Sequence, residues 1–366
     1  MDERYVRRRG RLLRRARDAA VDALLVSGVT NVSWLTGFSG DSSWLLLGTG
    51  VCVLVSDGRY AIQIEEECPG LDMLIRKPHV KLHEAAAKAV KAAGVRKLAF
   101  ESHVLTFESV EQLAAAAPQC TLLPVSGIVE ELRASKDARE LAEIRSAVRM
   151  AVRGYNALRA SLTRDMTELE IAHELEQAMR RFGADGESFE TIVAADDRAA
   201  LAHYRPRRRP IRDCDWLLID WGAEAPSGYK SDLTRMLVFG KPSKKLEQVY
   251  RTVLEAQTRA IHAARPGISC EAVDRVARDY LKSQGYARYF GHGLGHGIGL
   301  DIHEMPRLAP NSKTLLAAGM VVTVEPGVYL PGWGGVRIED DVLITRDGHD
   351  VLSHALGKSF EASLVD

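Results

Sequence analysis

The chain has 366 residues, of which 46% are hydrophobic and 27% charged, and 49 Lys+Arg balance 49 Asp+Glu. Those proportions are globular and exclude collagen-like, disordered and coiled-coil readings of the whole chain; a formal net charge of zero offers no general attraction for nucleic acid. The longest apolar runs, such as Trp44–Leu47 and Val321–Val324, fall far short of the ~18 residues that a membrane span needs.

At roughly 150 residues per domain the length predicts two domains, and the signals along the chain divide it into 1–130 and 131–366, with the boundary near Ser126–Ser135. Met1–Ala20 is Arg-rich and lacks the apolar stretch of a secretory signal, so about Glu3–Ala20 reads as a basic helix with a solvated face. Ala23–Val26 is a short buried strand. Trp44–Leu47 and Val51–Val55 flank Gly48-Thr49-Gly50 as a hairpin, and Asp57-Gly58 marks a second turn. His83–Ala93 is an Ala/Lys-rich helix and Leu98–Phe100 a strand, which makes 1–130 a small α/β unit with no recognisable chemical site. Five scattered cysteines (Cys52, Cys68, Cys120, Cys214 and Cys270), with no CxxC pair, point to reduced thiols in a cytoplasmic protein.

Beyond the boundary, 137–160 is an amphipathic helix with Leu141, Ile144, Val148, Ala151, Tyr155 and Leu158 on one face. Thr167-x-x-Glu170 is a capping box that opens a helix running to Gly183. Further helices are expected at Lys245–Ala263 and from Ser269 to Gly285, and strands at Trp216–Asp220, Ser231–Phe239, Met320–Val324 and Val336–Thr345. Helix, helix, strand pair, repeated once, predicts an α+β domain in which a curved antiparallel sheet carries helices on one face. The basic run Arg205–Arg212 reads as a solvated loop, or more sharply as a patch for an acidic ligand. Trp34, Trp44, Trp221 and Trp333 are read as packing residues rather than as the wall of a pocket.

The chemistry concentrates in Asp220, Asp232, His296, Glu325 and Glu339. Asp220 and Glu325 each end a strongly apolar strand, where an unpaired carboxylate costs several kcal/mol of desolvation. Asp232 lies on the strand returning from the turn at Pro226–Gly228. Glu339 alternates with Arg337 and Asp341 on one strand face. A single buried Asp has a sufficient explanation in a structural ion pair. Four carboxylates brought together would be forced to protonate unless cations neutralise them, and two divalent ions supply the four charges. One imidazole among oxygen ligands suits Mn²⁺, Co²⁺, Zn²⁺ or Fe²⁺. The Gly/His segment Tyr289–Glu304 is no phosphate loop, because no Gly-Lys-Ser/Thr follows, and it has no strand before and helix after for nucleotide binding.

Six strings together carry a resemblance: Ile219-Asp220-Trp221-Gly222-Ala223, Ser231-Asp232-Leu233-Thr234-Arg235, Gly295-His296-Gly297-Ile298-Gly299-Leu300, Ile302-His303-Glu304, Val324-Glu325-Pro326-Gly327 and Val336-Arg337-Ile338-Glu339-Asp340. About 135–357 resembles the pita-bread metallopeptidases, in the branch of aminopeptidase P and prolidase. Leu35-Thr36-Gly37-Phe38-Ser39-Gly40 and Asp57-Gly58-Arg59-Tyr60 are similar to that branch's creatinase-like N-terminal domain. The resemblance implies that Asp220, Asp232, His296, Glu325 and Glu339 ligate two divalent ions, with Mn²⁺ the first expectation, and that Asp232 and Glu339 bridge them. It places His203 and His303 beside the reacting carbonyl, Glu325 as a proton carrier, and His292 and Arg337 near the substrate. It further implies hydrolysis of the bond before proline in an Xaa-Pro dipeptide or a proline-containing peptide, and a homodimer. Some relatives have lost the activity and bind peptides or protein partners instead; that is the alternative reading. Asp220 and Asp232 are twelve positions apart (220 to 232), one more than the family pattern, so either the hairpin tip absorbs the extra residue or Asp232 turns away.

Overall fold

The structure, a computed structural model, describes residues 2–365. The chain divides into two compact units between Leu132 and Arg133. The N-terminal unit runs α1 (Glu3–Asp18), β1 (Ala23–Val26), α2 (Val29–Thr36), β2 (Trp44–Gly48), β3 (Val51–Asp57), α3 (Ala61–Glu67), β4 (Asp72–Arg76), α4 (Leu82–Ala92), β5 (Lys97–Glu101), α5 (Phe107–Ala116) and β6 (Thr121–Val125). Its six strands lie in the order β4-β3-β2-β1-β5-β6. The β2–β3 pair is the hairpin expected around Gly48-Thr49-Gly50, and Gly50 takes φ 77° at its tip. Ala85, Ala86, Ala89 and Val90 form the inner face of α4, and these small side chains pack against Leu25, Leu46 and Leu98 of the sheet.

The N-terminal helix departs from the solvated basic element expected of it. Arg8 and Arg9 are buried, and their guanidinium groups donate to the carbonyls of Trp34 (3.1 Å) and Leu35 (2.9 Å). Those carbonyls belong to the last turn of α2, where the helix leaves acceptors unpaired and where cations are favoured.

After α6 (Glu130–Ala134) the C-terminal unit runs α7 (Ala138–Ser161), α8 (Glu168–Arg181), β7 (Gly186–Glu187), β8 (Ile192–Ala195), β9 (Trp216–Trp221), β10 (Ala223–Glu224), β11 (Leu233–Phe239), α9 (Lys244–Ala263), α10 (Cys270–Ser283), β12 (Gly295–Gly297), β13 (Glu304–Leu308), β14 (Val321–Val324), β15 (Gly327–Leu330), β16 (Gly334–Arg337), β17 (Asp340–Ile344), β18 (His349–Val351), α11 (Phe360–Ser363) and β19 (Leu364–Val365). One sheet has the order β19-β11-β9-β8 and a second β13-β12-β14-β17-β18, so the predicted repeat of two helices and strands is realised as two sheets, each with its helix pair. The capping box at Thr167 forms: its hydroxyl accepts the Glu170 N–H while Glu170 accepts the Thr167 N–H at 2.8 Å.

Strand alternation assigns the faces. Leu217, Ile219 and Trp221 of β9 pack with Leu158, Leu175 and Met179 of α7 and α8, while Trp216 and Leu218 turn to the core under α9 and α10. Asp220 therefore lies on the second face. In β11, Leu233 and Leu237 belong to the first face, so Thr234 and Met236 belong to the second, and Thr234 pairs directly with Asp220.

The single strand expected over Val336–Thr345 is two. β16 pairs with β15, β17 pairs with β14, and Ile338 and Glu339 carry the chain from one pairing to the other. The interruption frees Glu339 to bridge β11: its N–H donates to Thr234 O at 3.2 Å. The basic run 205–212 is ion-paired at the surface, Arg205 to Glu190 at 2.9 Å and Arg209 to Asp197 at 2.9 Å. Trp221 is fully buried and stacks on Tyr155 at 4.5 Å, and Trp333 packs on Trp216 at 5.0 Å. Among the described residues no helix is long and apolar enough to cross a membrane.

Candidate active site and metal centre

Two glycines let the supporting strands close up. A Cβ on Gly222 would lie 1.9 Å from Ser231 O and 2.0 Å from Ser188 Oγ, so any other residue there would force the Asp220–Asp232 hairpin apart. A Cβ on Gly295 would lie 2.1 Å from Thr323 O, so this glycine lets β12 approach β14. The hairpin tip absorbs the additional residue in a turn where Gly228 (φ 81°) donates its N–H to Ala225 O. Asp232 stays on the face of Asp220 and Thr234. Its Oδ2 lies 3.5 Å from His296 Nε2, and Glu325 Oε1 lies 3.5 Å from the same nitrogen. One ligand atom each from Asp232, His296 and Glu339 fits within 4.8 Å. Asp220 and Glu325 line the same cavity of ≈ 560 Å³.

The electrostatics of this cluster are those of a site short of positive charge. Burial, then repulsion from Glu339 and Asp220, pushes the Asp232 carboxyl well above the usual carboxylate range. Burial, then Glu325 and Asp220, does the same to Glu339, and burial raises Glu325 to about 8. Asp220 Oδ1 is buried with no hydrogen-bond partner. Arg337 pairs with Asp220 through Nη2, but one cation does not offset four carboxylates. Burial lowers His296 to about 4, so its imidazole is neutral at pH 7, the state in which it ligates a metal. The acceptor-rich donor set, the orphaned Asp220 oxygen and the neutral imidazole fit divalent cations.

Supporting contacts hold the cluster in place. Thr234 Oγ1 donates to Glu339 Oε2 (2.7 Å) and accepts from Arg337 Nε (3.1 Å). Arg235 grips Glu339 O at 2.6 Å and Asp340 Oδ1 at 2.7 Å. Asp341 Oδ2 accepts the Asp232 N–H at 3.1 Å. Asp340 and Asp341 are adjacent and both buried, yet opposite in character. Although burial alone would raise it, Asp340 is brought down to about 2 by Arg235 and Lys358, whereas burial without a cation drives Asp341 up.

The four remaining sequence-predicted residues line the same cavity: His203, His292, His303 and Arg337. The His303 ring meets His296 edge-on at 4.3 Å, and burial keeps it neutral by lowering its pKa. His292 has both ring nitrogens engaged: Nδ1 lies 2.7 Å from Gly293 O and Nε2 3.0 Å from Tyr329 OH. A carbonyl only accepts, so Nδ1 carries the proton and Nε2 accepts from the tyrosine. Arg337 spends its fork on Asp220, Thr234 and Tyr329, the last through Nη1 at 2.8 Å.

The sequence motifs assign no role to Tyr329 or Arg307, and place Asp341 only on the strand face of Glu339. The doubled Asp340-Asp341 at the head of a Val/Ile strand was a usable signal for Asp341. Arg307, four positions after His303 and outside the quoted strings, had none. Among the described residues no tryptophan lines the cavity; its aromatic wall is Phe189, Tyr204 and Tyr329.

The description of metallopeptidase family M24 matches residues 142–346, and that of the creatinase/prolidase N-terminal domain matches 8–135. The chain belongs to metallopeptidase family M24. This M24 chain is a hydrolase with a creatinase-type N-terminal domain and a pita-bread C-terminal domain. It is 35% identical over 329 residues to the Xaa-Pro dipeptidase of Pyrococcus horikoshii, covering 90% of this chain and 92% of that protein. Among solved structures it resembles an Xaa-Pro dipeptidase from Bacillus anthracis (TM-score 0.92, 36% identity, 96% of this chain and 98% of that one). An X-Pro aminopeptidase from Thermotoga maritima follows with TM-score 0.85 and 32% identity, covering 94% of this chain and 99% of that one.

Proposed function

We propose that this M24 peptidase hydrolyses Xaa-Pro dipeptides, and that Asp220, Asp232, His296, Glu325 and Glu339 hold two divalent ions, Mn²⁺ foremost among Mn²⁺, Co²⁺, Zn²⁺ and Fe²⁺. The observation that carries it is the convergence of four mutually repelling carboxylates, three of them buried, and a neutral imidazole on one cavity. The ions, when bound, polarise a carbonyl and acidify water.

The chain's own residues supply the rest. Hydrolysis needs attack of water on the carbonyl carbon, cleavage of the C–N bond and delivery of a proton to the proline nitrogen. Glu325 takes the proton from the water and returns it to that nitrogen. His203 and His303 donate to the carbonyl oxygen as it gains negative charge; one such donor is typically worth about 2.7–4 kcal/mol. His292 and Arg337 shape the substrate wall. Arg307 faces the cavity and offers the cation for a dipeptide's carboxylate, because the Arg337 fork is already committed. That cation and the names of the relatives favour the dipeptide over a longer peptide.

A homodimer and a cytoplasmic location complete the proposal; five free cysteines support a reducing compartment. The test is hydrolysis of Xaa-Pro and Xaa-Pro-Yaa by protein loaded with Mn²⁺, Co²⁺ or Zn²⁺ beside a chelated control. Activity on Xaa-Pro that chelation abolishes supports the reading. Inactivity on both peptides with all three metals rejects it, and preference for Xaa-Pro-Yaa makes the protein an aminopeptidase.

A further inference from the structure

The segment Phe290–Gly297 is GHGLGHG after its phenylalanine, and it delivers His292 and His296 to the cavity. Glycine at every second position removes the side chains that would pack the backbone, and each glycine loses more conformational freedom on folding than any other residue. Such a segment keeps one geometry only if something outside it grips its peptide groups.

The grip comes from α10. Asp274 and Arg278 are one turn apart and pair bidentately, Arg278 Nε to Asp274 Oδ2 at 2.9 Å and Nη2 to Oδ1 at 2.8 Å. The remaining capacity of both groups is directed at the segment. Arg278 Nη1 donates to Phe290 O (3.1 Å), Arg278 Nη2 donates to His292 O (2.8 Å), and Leu294 N–H donates to Asp274 Oδ1 (3.0 Å). The guanidinium also lies 4.3 Å above the Phe290 ring, which meets the His292 ring edge-on at 5.0 Å. Alternate residues 290, 292 and 294 are thus each fixed by one ion pair, in which the Asp274 side chain is 2% exposed and that of Arg278 28%.

We propose that Asp274 and Arg278 are positioning residues that hold the His292 peptide so that its ring meets Tyr329 and presents one face to the substrate. The proposal rests on the dipeptidase reading for its kinetic consequence, but not for its structural one. A lysine at 278 keeps the charge and loses the planar fork, so it cannot hold Asp274 and two carbonyls at once.

The experiment compares wild type, Arg278→Ala, Arg278→Lys and Asp274→Asn as Zn²⁺-loaded proteins. In Arg278→Ala the KM for an Xaa-Pro dipeptide is expected to rise about tenfold, with kcat changed less than about threefold and zinc content unchanged. Arg278→Lys is expected to fall between that variant and wild type. In the absence of substrate, the histidine ring ¹⁵N resonances should show His292 losing its single Nδ1–H tautomer. Wild-type KM with an unchanged His292 resonance overturns the proposal, as does a loss confined to kcat and zinc content. If Arg278→Ala does not fold, Arg278→Lys and Asp274→Asn carry the same two readouts. Should the wild type prove inactive on Xaa-Pro, the dipeptidase reading fails while the ring resonances still decide the clamp.

Discussion

Glu101 of the N-terminal unit and the clustered acids of the C-terminal unit are buried in opposite ways. In the N-terminal unit Glu101 is 1% exposed, and donors surround it: Ser27 N–H (2.6 Å), Gly28 N–H (2.8 Å) and Asn31 Nδ2 (2.6 Å). In the C-terminal unit Asp232, Glu325 and Glu339 face one another, and the buried cation beside them, Arg337, is paired with Asp220. A buried acid that has gathered N–H donors holds a fold together. Buried acids that have gathered other acids leave a place for cations, and their raised pKa values record the missing charge. Asp340 and Asp341 repeat the contrast within one strand.

The comparison breaks most visibly at the metal cluster. His296→Ala and Glu339→Ala are each expected to lower kcat/KM for an Xaa-Pro dipeptide by roughly a thousandfold or more, since several kcal/mol of charge stabilisation is at stake. Elemental analysis should find metal lost in parallel. Full metal content with wild-type rates would locate the chemistry elsewhere.

A second prediction concerns pH. The raised carboxyls of the metal-free C-terminal unit, with Glu325 at about 8, hold protons that the unfolded chain releases in the ordinary carboxylate range. The folded state therefore binds more protons between that range and about pH 8, and its stability falls as pH rises through the window. Thermal melts of chelator-treated protein should drop by roughly 5–10 °C from pH 5 to pH 8. Metal loading should remove the slope, and a flat metal-free profile would contradict the charge-starved site.

Glu101→Gln sharpens the other side. The amide keeps the shape but accepts less, leaving buried N–H groups short of a partner. Destabilisation of about 2–4 kcal/mol is expected by denaturant titration, with metal content and KM unchanged. Loss of metal in this variant would mean that the two carboxylate environments are not independent. The smallest effect is Thr167→Ala, which removes the α8 cap and should cost about 1 kcal/mol in the same titration, with no change in activity.

Capping signals and hydrophobic spacing located α7, α8, α9 and α10 to within a residue or two, because a helix start depends on a few adjacent side chains such as Thr167 and Glu170. The short strands β8, β12, β13 and β15 were not legible: each has only three to five residues, with glycine or proline inside β12, β13 and β15, and carries too little periodicity. The break at Ile338-Glu339 was hidden for a related reason, since Val336–Glu339 alternates and Val342–Ile344 is an apolar run, both strand-like, and only pairing with two different partners divides them. The buried arginines of α1 differ from the solvated face expected of them because composition does not show which face of a basic helix meets another helix's open carbonyls.

Residue types and their motif neighbours were enough to nominate five metal-binding candidates and the family, because carboxylates at the ends of apolar strands carry their electrostatic cost wherever the chain folds. Arg337 turned inward to Asp220, His292 saturated by Gly293 and Tyr329, Arg307 left facing the cavity, and Asp274–Arg278 gripping a glycine-rich segment could not be read that way. Those assignments depend on hydrogen bonds between groups far apart in the chain, and such bonds exist only once two sheets and their helices have brought the partners within about 3 Å.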